Sequence, residues 1–287
     1  MTVINTNIGA TITANALAKN ERAMNTAMER LSTGKRINSA ADDAAGLAIS
    51  QRLNAQVKGL DQAARNANDA ISMLQTADGA AIEITNMLQR MRELAVQATS
   101  DSNTSADVSN LDLEFKALAE EIDRIVDATQ WNGENILDGT GGDSSDGSFT
   151  FQIGANDGQT VTVDFSDFNL AAGSSTVVMG ADISGMTAST ATITTETASI
   201  LDTLDTAISG VTTQRATFGA VMNRLEYTVD NLANVSQNTS ASMSRIADAD
   251  YAAETTELAR TQIIQQAGTA MLSQANQQAQ SVLALLK

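Results

Sequence analysis

Cysteine, histidine and proline are all absent from this 287-residue chain. Without His or Cys there is no Ser-His-Asp or Cys-His nucleophile, no imidazole base and no ordinary zinc site. Carboxylate pairs, Ser and Lys remain, so enzymatic chemistry is disfavoured rather than excluded. Lack of Cys also rules out disulfides and leaves the redox compartment unmarked. Lack of Pro removes the strongest helix breaker and permits very long helices. Aromatic residues make up only 3%, too few for a conventional globular core, whereas Ala, Leu, Ile, Val and Met are plentiful. Such a mixture suits closely packed helices. Nowhere is there the run of ~18 apolar residues that crosses a bilayer. The start, MTVINTNIGATITANALAKN, has neither a basic opening nor a continuous apolar block. It does not read as a secretory signal peptide, so the expectation is a cytosolic protein or one exported by a route that needs none.

Basic residues are scarce, and their scarcity is local. The formal net charge is −17, and residues 101–210 hold 19 acidic and 2 basic side chains, a net of −17. Everything outside that window sums to zero. An acidic middle repels phosphate and argues against nucleic acid as a partner; it suits a solvated outer surface.

What the chain does contain is long periodic apolar stripes. From Ile49 one runs through Leu53, Val57, Leu60, Ala64, Ala67, Ile71, Leu74, Ala77, Ala81, Ile84, Leu88, Met91 and Leu94. Its gaps of three and four residues are those of a coiled-coil seam, and the helix it predicts is roughly 70 Å long. After the loop SDSNTSADVSN, a second helix uses Leu111, Phe115, Leu118, Ile122 and Ile125. The other long seam is Leu201, Leu204, Ile208, Val211, Arg215, Phe218, Met222, Leu225, Val229, Leu232, Ser236, Thr239, Met243 and Ile246. These stripes predict an intrachain helix bundle rather than a cofactor site. No cofactor or metal is expected.

Between the seams the period changes to two. FTFQIGANDGQTVTVDF sets Phe149, Phe151 and Ile153 against Val161, Val163 and Phe165 around an Asn156-Asp157-Gly158 turn, a β-hairpin. Residues 171–195 are Ser/Thr/Gly-rich and read as short strands and loops. In DGTGGDSSDG, Asp138, Asp143 and Asp146 lie among glycines. No 12-residue calcium pattern surrounds them, so a flexible turn is the favoured reading.

The two ends share a character. Residues 1–18 and 261–286 carry no charge. Ile8, Ile12, Ala16, Met24, Met28 and Leu31 form one stripe. Ile264, Ala267, Met271, Ala275, Ala279, Leu283 and Leu286 form the other, and the pair reads as two helices closed on each other. Their remaining faces, rich in Gln and Ala, are too neutral for free solvent and not apolar enough for lipid. Two readings stay open: a terminal pair docked on its own domain, or an element that orders among identical copies. In LSTGKRINSAADDAAGLAIS, Gly34 reads as a helix stop, Ser39 with Asp42 as a capping box, and Asp43 as a second carboxylate at the positive helix end. QRMRELAVQ, residues 89–97, reads as a solvated or subunit-facing stripe.

Several segments together resemble bacterial flagellin: INTN at 4–7, ERLSTGKRINSAADDAAGLAI at 29–49, RNANDAISMLQTADGA at 65–80, LQRMRELAVQ at 88–97, IGANDGQT at 153–160, SRIADADYAAE at 244–254 and QIIQQAGTAMLSQANQ at 262–277. The resemblance covers roughly 1–165 and 196–287. It implies a mainly α fold, a long antiparallel coiled-coil bundle with a small β-hairpin region and paired terminal helices. Residues 1–42 with 245–287 would form the inner core domain, and 43–244 the outer tube, with the hairpin and Ser/Thr-rich region at 138–195. It implies a structural, non-enzymatic subunit of an extracellular filament for swimming, exported by the flagellar type III apparatus without a cleaved signal peptide. Self-assembly would use Ile8, Ile12, Met24, Met28, Leu31, Ile264, Met271, Leu283 and Leu286. Its implied partners are copies of itself, an export chaperone at 250–287, and hook-associated and cap proteins. Some flagellins are ligands of a Toll-like receptor, and the matching positions are Arg90, Leu94, Gln97 and Glu114. No membrane partner is implied. Many relatives carry Pro near Ala279, so the last helix is expected to continue there, and large variable outer domains are lacking. The expected exposure of 171–195 suggests O-glycosylation there. A hook–filament junction protein and a cytosolic coiled-coil scaffold are the alternatives; a filament-borne His-Glu-x-x-His protease is argued against by the missing histidines.

Overall fold

The computed structural model describes residues 7–100, 102–142, 146–165, 168 and 193–284, with backbone only at 193–199 and 278–284. The expected strands and loops of 171–192 lie outside the described residues, as do Asp143 and Leu286. Five helices follow the chain order: α1 Ile8–Thr33, α2 Ala44–Ala98, α3 Ser105–Ala128, α4 Ile193–Ala247 and α5 Tyr251–Ala284. The chain divides into two compact units, Met1–Val57 with Gln237–Lys287, and Lys58–Ser236.

In the second unit α2, α3 and α4 enclose one apolar core. Small Ala67, Ala70, Ala77 and Ala81 alternate on α2 with Leu74, Ile84, Leu88 and Met91, and face Leu204, Val211, Phe218 and Leu225 of α4. Alanine at four core positions leaves room for the larger side chains opposite, as close packing requires. Polar contacts fix the antiparallel register: Ser236 Oγ donates to Asp61 at 2.9 Å, Arg215 Nε to Asp78 at 2.7 Å and Arg92 Nε to Asp205 at 2.6 Å. Arg215 is the one charged residue in the α4 seam, and the Asp78 carboxylate is its partner. Its neighbour Gln214 is the buried one, donating from Nε2 to the Asp164 carbonyl at 2.7 Å.

α3 starts earlier than its apolar stripe suggests. Thr104 and Asp107 form a reciprocal capping box, so part of the expected loop SDSNTSADVSN is helix. Phe115, Ile122 and Val126 are its buried residues.

Two hairpins follow. The strands β1 Gln130–Trp131 and β2 Glu134–Asn135 turn at Asn132-Gly133, both at positive φ, the turn chemistry that Asn-Gly favours. Strands β3 Ser148–Gln152 and β4 Thr160–Asp164 pair Phe149 with Val163 and Phe151 with Val161, the expected hairpin. Gly158 sits in its turn at φ +77°, and the Ile153 N–H closes the loop on the Gln159 carbonyl at 2.9 Å. Phe165 packs edge-on against Phe149 and touches Phe218 of α4, with ring centroids 5.4 and 5.2 Å away. Asn66 of α2 donates to the Gln152 carbonyl at 2.9 Å, and Ala155 meets α2 at Gly59. The aspartates beside the glycines cap turns: Asp138 accepts from the Thr140 N–H at 2.9 Å, and Asp146 from the Ser148 N–H at 3.0 Å. Burial works against the Asp138 charge, but hydrogen bonds from Thr140 and Asn135 outweigh it and lower its pKa.

Candidate functional site: the paired terminal helices

α1 begins with Asn7, whose side chain accepts from the Ala10 N–H at 3.0 Å, and ends at Gly34, φ +70°, the expected helix stop. Arg36 then donates to the Ile246 carbonyl at 2.8 Å, and Lys35 makes an antiparallel bridge to Asp248. The Ser39 and Asn38 N–H groups both donate to Asp42, lowering its pKa. The cap of α2 is Asp43, four residues later than the Ser39 cap of a Ser39–Asp42 box; it accepts from the Gly46 N–H at 2.8 Å.

α1 and α5 run antiparallel. Asn7 Nδ2 donates to the Ala275 carbonyl at 3.3 Å, Asn20 Nδ2 to the Thr261 carbonyl at 2.8 Å, and Arg30 Nη1 to Glu254 at 3.0 Å. The seam positions of α1 are Ala10, Thr13, Leu17, Asn20, Met24, Ala27 and Leu31, half-buried or buried and flanked by half-buried Ala23, Thr26 and Arg30; those of α5 include Leu258, Thr261, Gln265, Gly268, Leu272 and Ala275. Both sets step by three and four, a coiled-coil spacing. The seam they make is narrow and largely small or polar. Leu17 lies over Gly268, where an added Cβ would come within 2.9 Å of its Cδ1. Asn20 is buried between Thr261 and Gln265. A buried Asn in a seam specifies register at a cost in stability.

The expected stripe is therefore only partly the seam. Met24 and Leu31 lie in it, but Ile8, Ile12, Met28, Ile264 and Met271 are exposed, joined by Ile263. Ile12 is 64% exposed and Ile263 67%. The correction has a simple cause: the largest apolar residues were assumed to meet each other, whereas the intrachain contact uses their smaller neighbours and leaves them uncovered. The seam residues Asn20, Thr261, Gln265 and the Arg30–Glu254 pair were missed. Their signal is the three-four spacing of Ala, Thr, Leu and Asn in α1, which counting only large apolar residues conceals. The side chains of Leu283 and Leu286 lie outside the described ones. α5 continues through Ala279, as expected without proline there.

The second set of predicted residues lies on α2 and α3. Arg90 bridges Glu114 at 2.9 Å and Glu93 at 3.0 Å, and its hydrogen bond to Glu114 is the main reason its pKa is raised. Gln97 is exposed. Leu94 is 2% exposed and packs in the core beneath them, so its side chain offers no surface to a partner. Among the described residues no group of acidic side chains is placed to hold a metal, and no helix is long and apolar enough to cross a membrane.

A helical chain whose ends zip together through a largely small and polar seam and leave several large apolar side chains exposed has the character of a self-associating structural subunit. Models of the bacterial flagellin N-terminal and C-terminal helical regions match residues 4–141 and 201–286. Flagellin of Halalkalibacterium halodurans is 45% identical over 99% of this chain and 100% of its own length. Flagellin of Bacillus subtilis is 41% identical over 99% of both. Among solved structures, Bacillus cereus flagellin is 33% identical, with a TM-score of 0.48, covering 58% of this chain and 88% of that one. The chain belongs to the bacterial flagellin family. It is a structural subunit of the extracellular flagellar filament, a homopolymer, and not an enzyme.

Proposed function

We propose that assembly is driven by the outward face of the α1–α5 pair, with Ile8, Ile12, Met28, Ile264 and Met271 covered by neighbouring copies and Met24 and Leu31 holding the pair together. Leu283 and Leu286 belong to the same proposed set by sequence spacing alone. The observation that carries this reading is the set of exposed large apolar side chains on helices with no charge at their outer ends. Covering apolar area is worth about 25 cal/mol per Å² before the cost of ordering. In this reading residues 1–42 and 245–287 form the inner core of the filament and 43–244 its outer tube. The acidic span 101–210 faces water.

Export by the flagellar type III apparatus without a cleaved signal peptide, a chaperone on 250–287, and hook-associated and cap proteins at the filament ends complete the proposal. Arg90, Gln97 and Glu114 form the accessible part of a surface for a Toll-like receptor, and 171–195 is the segment proposed to be O-glycosylated. The test is growth on filament seeds. Full-length protein should add subunits indefinitely, and protein lacking 245–287 should add none. Growth that stops after one layer would instead identify a hook–filament junction protein, and filaments from the truncated chain would refute the assignment.

A further inference from the structure

We propose that Met28 and Met271 form an oxidation-sensitive checkpoint on assembly: a hydroperoxide converts their thioethers to sulfoxides in the free subunit and thereby prevents its incorporation. The chain contains eleven methionines and no cysteine, so thioethers are its only oxidisable sulfur. Met73 and Met91 are buried in the bundle core at 1% and 0% exposure, and Met24, Met87, Met222 and Met243 are half-buried. Among the described methionines, only Met28 and Met271 are exposed, at 51% and 60%. Both lie outside the α1–α5 seam and, like Ile12 and Ile264, are exposed in the single chain.

The chemistry needs only the peroxide. A lone pair of the Met sulfur attacks one peroxide oxygen; the S–O bond forms, the O–O bond breaks, and the other oxygen leaves as water or an alcohol after taking up a proton. The thioether is oxidised by two electrons and the peroxide is reduced by two. The product is a polar, strongly accepting sulfoxide in place of a flexible apolar side chain, and reductases reverse it. In the free subunit the sulfoxide is hydrated and the fold is untouched. Covered by a neighbouring copy, it loses that hydration.

This inference rests on the assembly reading above, so its test separates the two. Full-length subunit is treated with hydrogen peroxide, sulfoxide at each methionine is located by peptide mass mapping, and the critical concentration for growth on seeds is measured. Met28 and Met271 should oxidise well before Met73 and Met91. Each sulfoxide should raise the critical concentration by about tenfold, equivalent to 1.4 kcal/mol, with the circular dichroism unchanged. A methionine sulfoxide reductase should restore growth, and peroxide should leave the critical concentration of M28L/M271L at that variant's own untreated value. Doubly oxidised chain growing like untreated chain overturns the inference, as does M28L/M271L being equally poisoned. Failure of the untreated chain to grow refutes the assembly reading instead. The mass map still decides the oxidation order, and Met28 and Met271 reacting no faster than Met73 and Met91 overturns the checkpoint by itself.

Discussion

Replacing Ile12 and Ile263 together by Gln separates monomer folding from assembly. Complete burial of an isoleucine is worth about 1.5–3 kcal/mol. With 64% and 67% of these residues in water in the single chain, only about a third of that value is at stake in the subunit itself, under ~1 kcal/mol each. The remaining two-thirds, roughly 1–2 kcal/mol per residue, is gained only when copies cover the face. Gln keeps a high helix propensity and matches its neutral surroundings. The double variant should therefore lose less than ~2 kcal/mol of subunit stability by urea melting, while its critical concentration on seeds rises about 100-fold. An unchanged critical concentration would refute the reasoning. So would a subunit that unfolds to the extent that explains the lost growth.

Other perturbations address the remaining elements. Phe218→Ala, at a residue 0% exposed against Phe165, should cost about 3–5 kcal/mol in a urea titration of the monomer. Gly268→Leu should displace Leu17 from the seam and lower the stability of the α1–α5 pair by about 1–3 kcal/mol, read as an earlier helical melting transition. Acid should weaken the fold through its caps. The Thr104 hydroxyl and N–H hold Asp107 below the ordinary carboxylate pKa, and the Ser39 and Asn38 N–H groups do the same for Asp42. A depressed folded pKa gives stability that is present above about pH 4 and lost as pH falls through the folded value. The urea midpoint should drop in that window, and less steeply in Asp107→Asn.

The bundle was legible because its cause is repetitive. A three-four apolar spacing over dozens of residues admits few alternatives to a long helix, and Gly34 and Asn156-Asp157-Gly158 mark a stop and a turn by backbone chemistry that few other residues provide. The start of α3 was hidden because its capping box, Thr104 to Asp107, sits among Ser and Asn residues that read equally well as loop. The small hairpin at Asn132-Gly133 carried a strong turn signal, but strands of two residues have no period to detect. The terminal pair was legible as a pair and misread in its facing. Composition identifies two neutral helices with apolar rows. Which row meets the partner helix depends on small residues such as Gly268 and Ala27 allowing close approach, and on Asn20 finding the Thr261 carbonyl, neither of which hydrophobicity reports. Leu94 was read in two ways, as the last residue of the long seam and as a receptor contact, and the structure gives it the seam's place in the core.

The central claim is that the terminal helices are incomplete until other copies cover them. Amide hydrogen exchange of residues 8–33 and 251–284, compared between dilute subunit and filament, tests it most directly. The account predicts rapid exchange in the dilute subunit, because the seam is small and polar, and strong protection after assembly. Equal, full protection of both segments in the dilute subunit would contradict it.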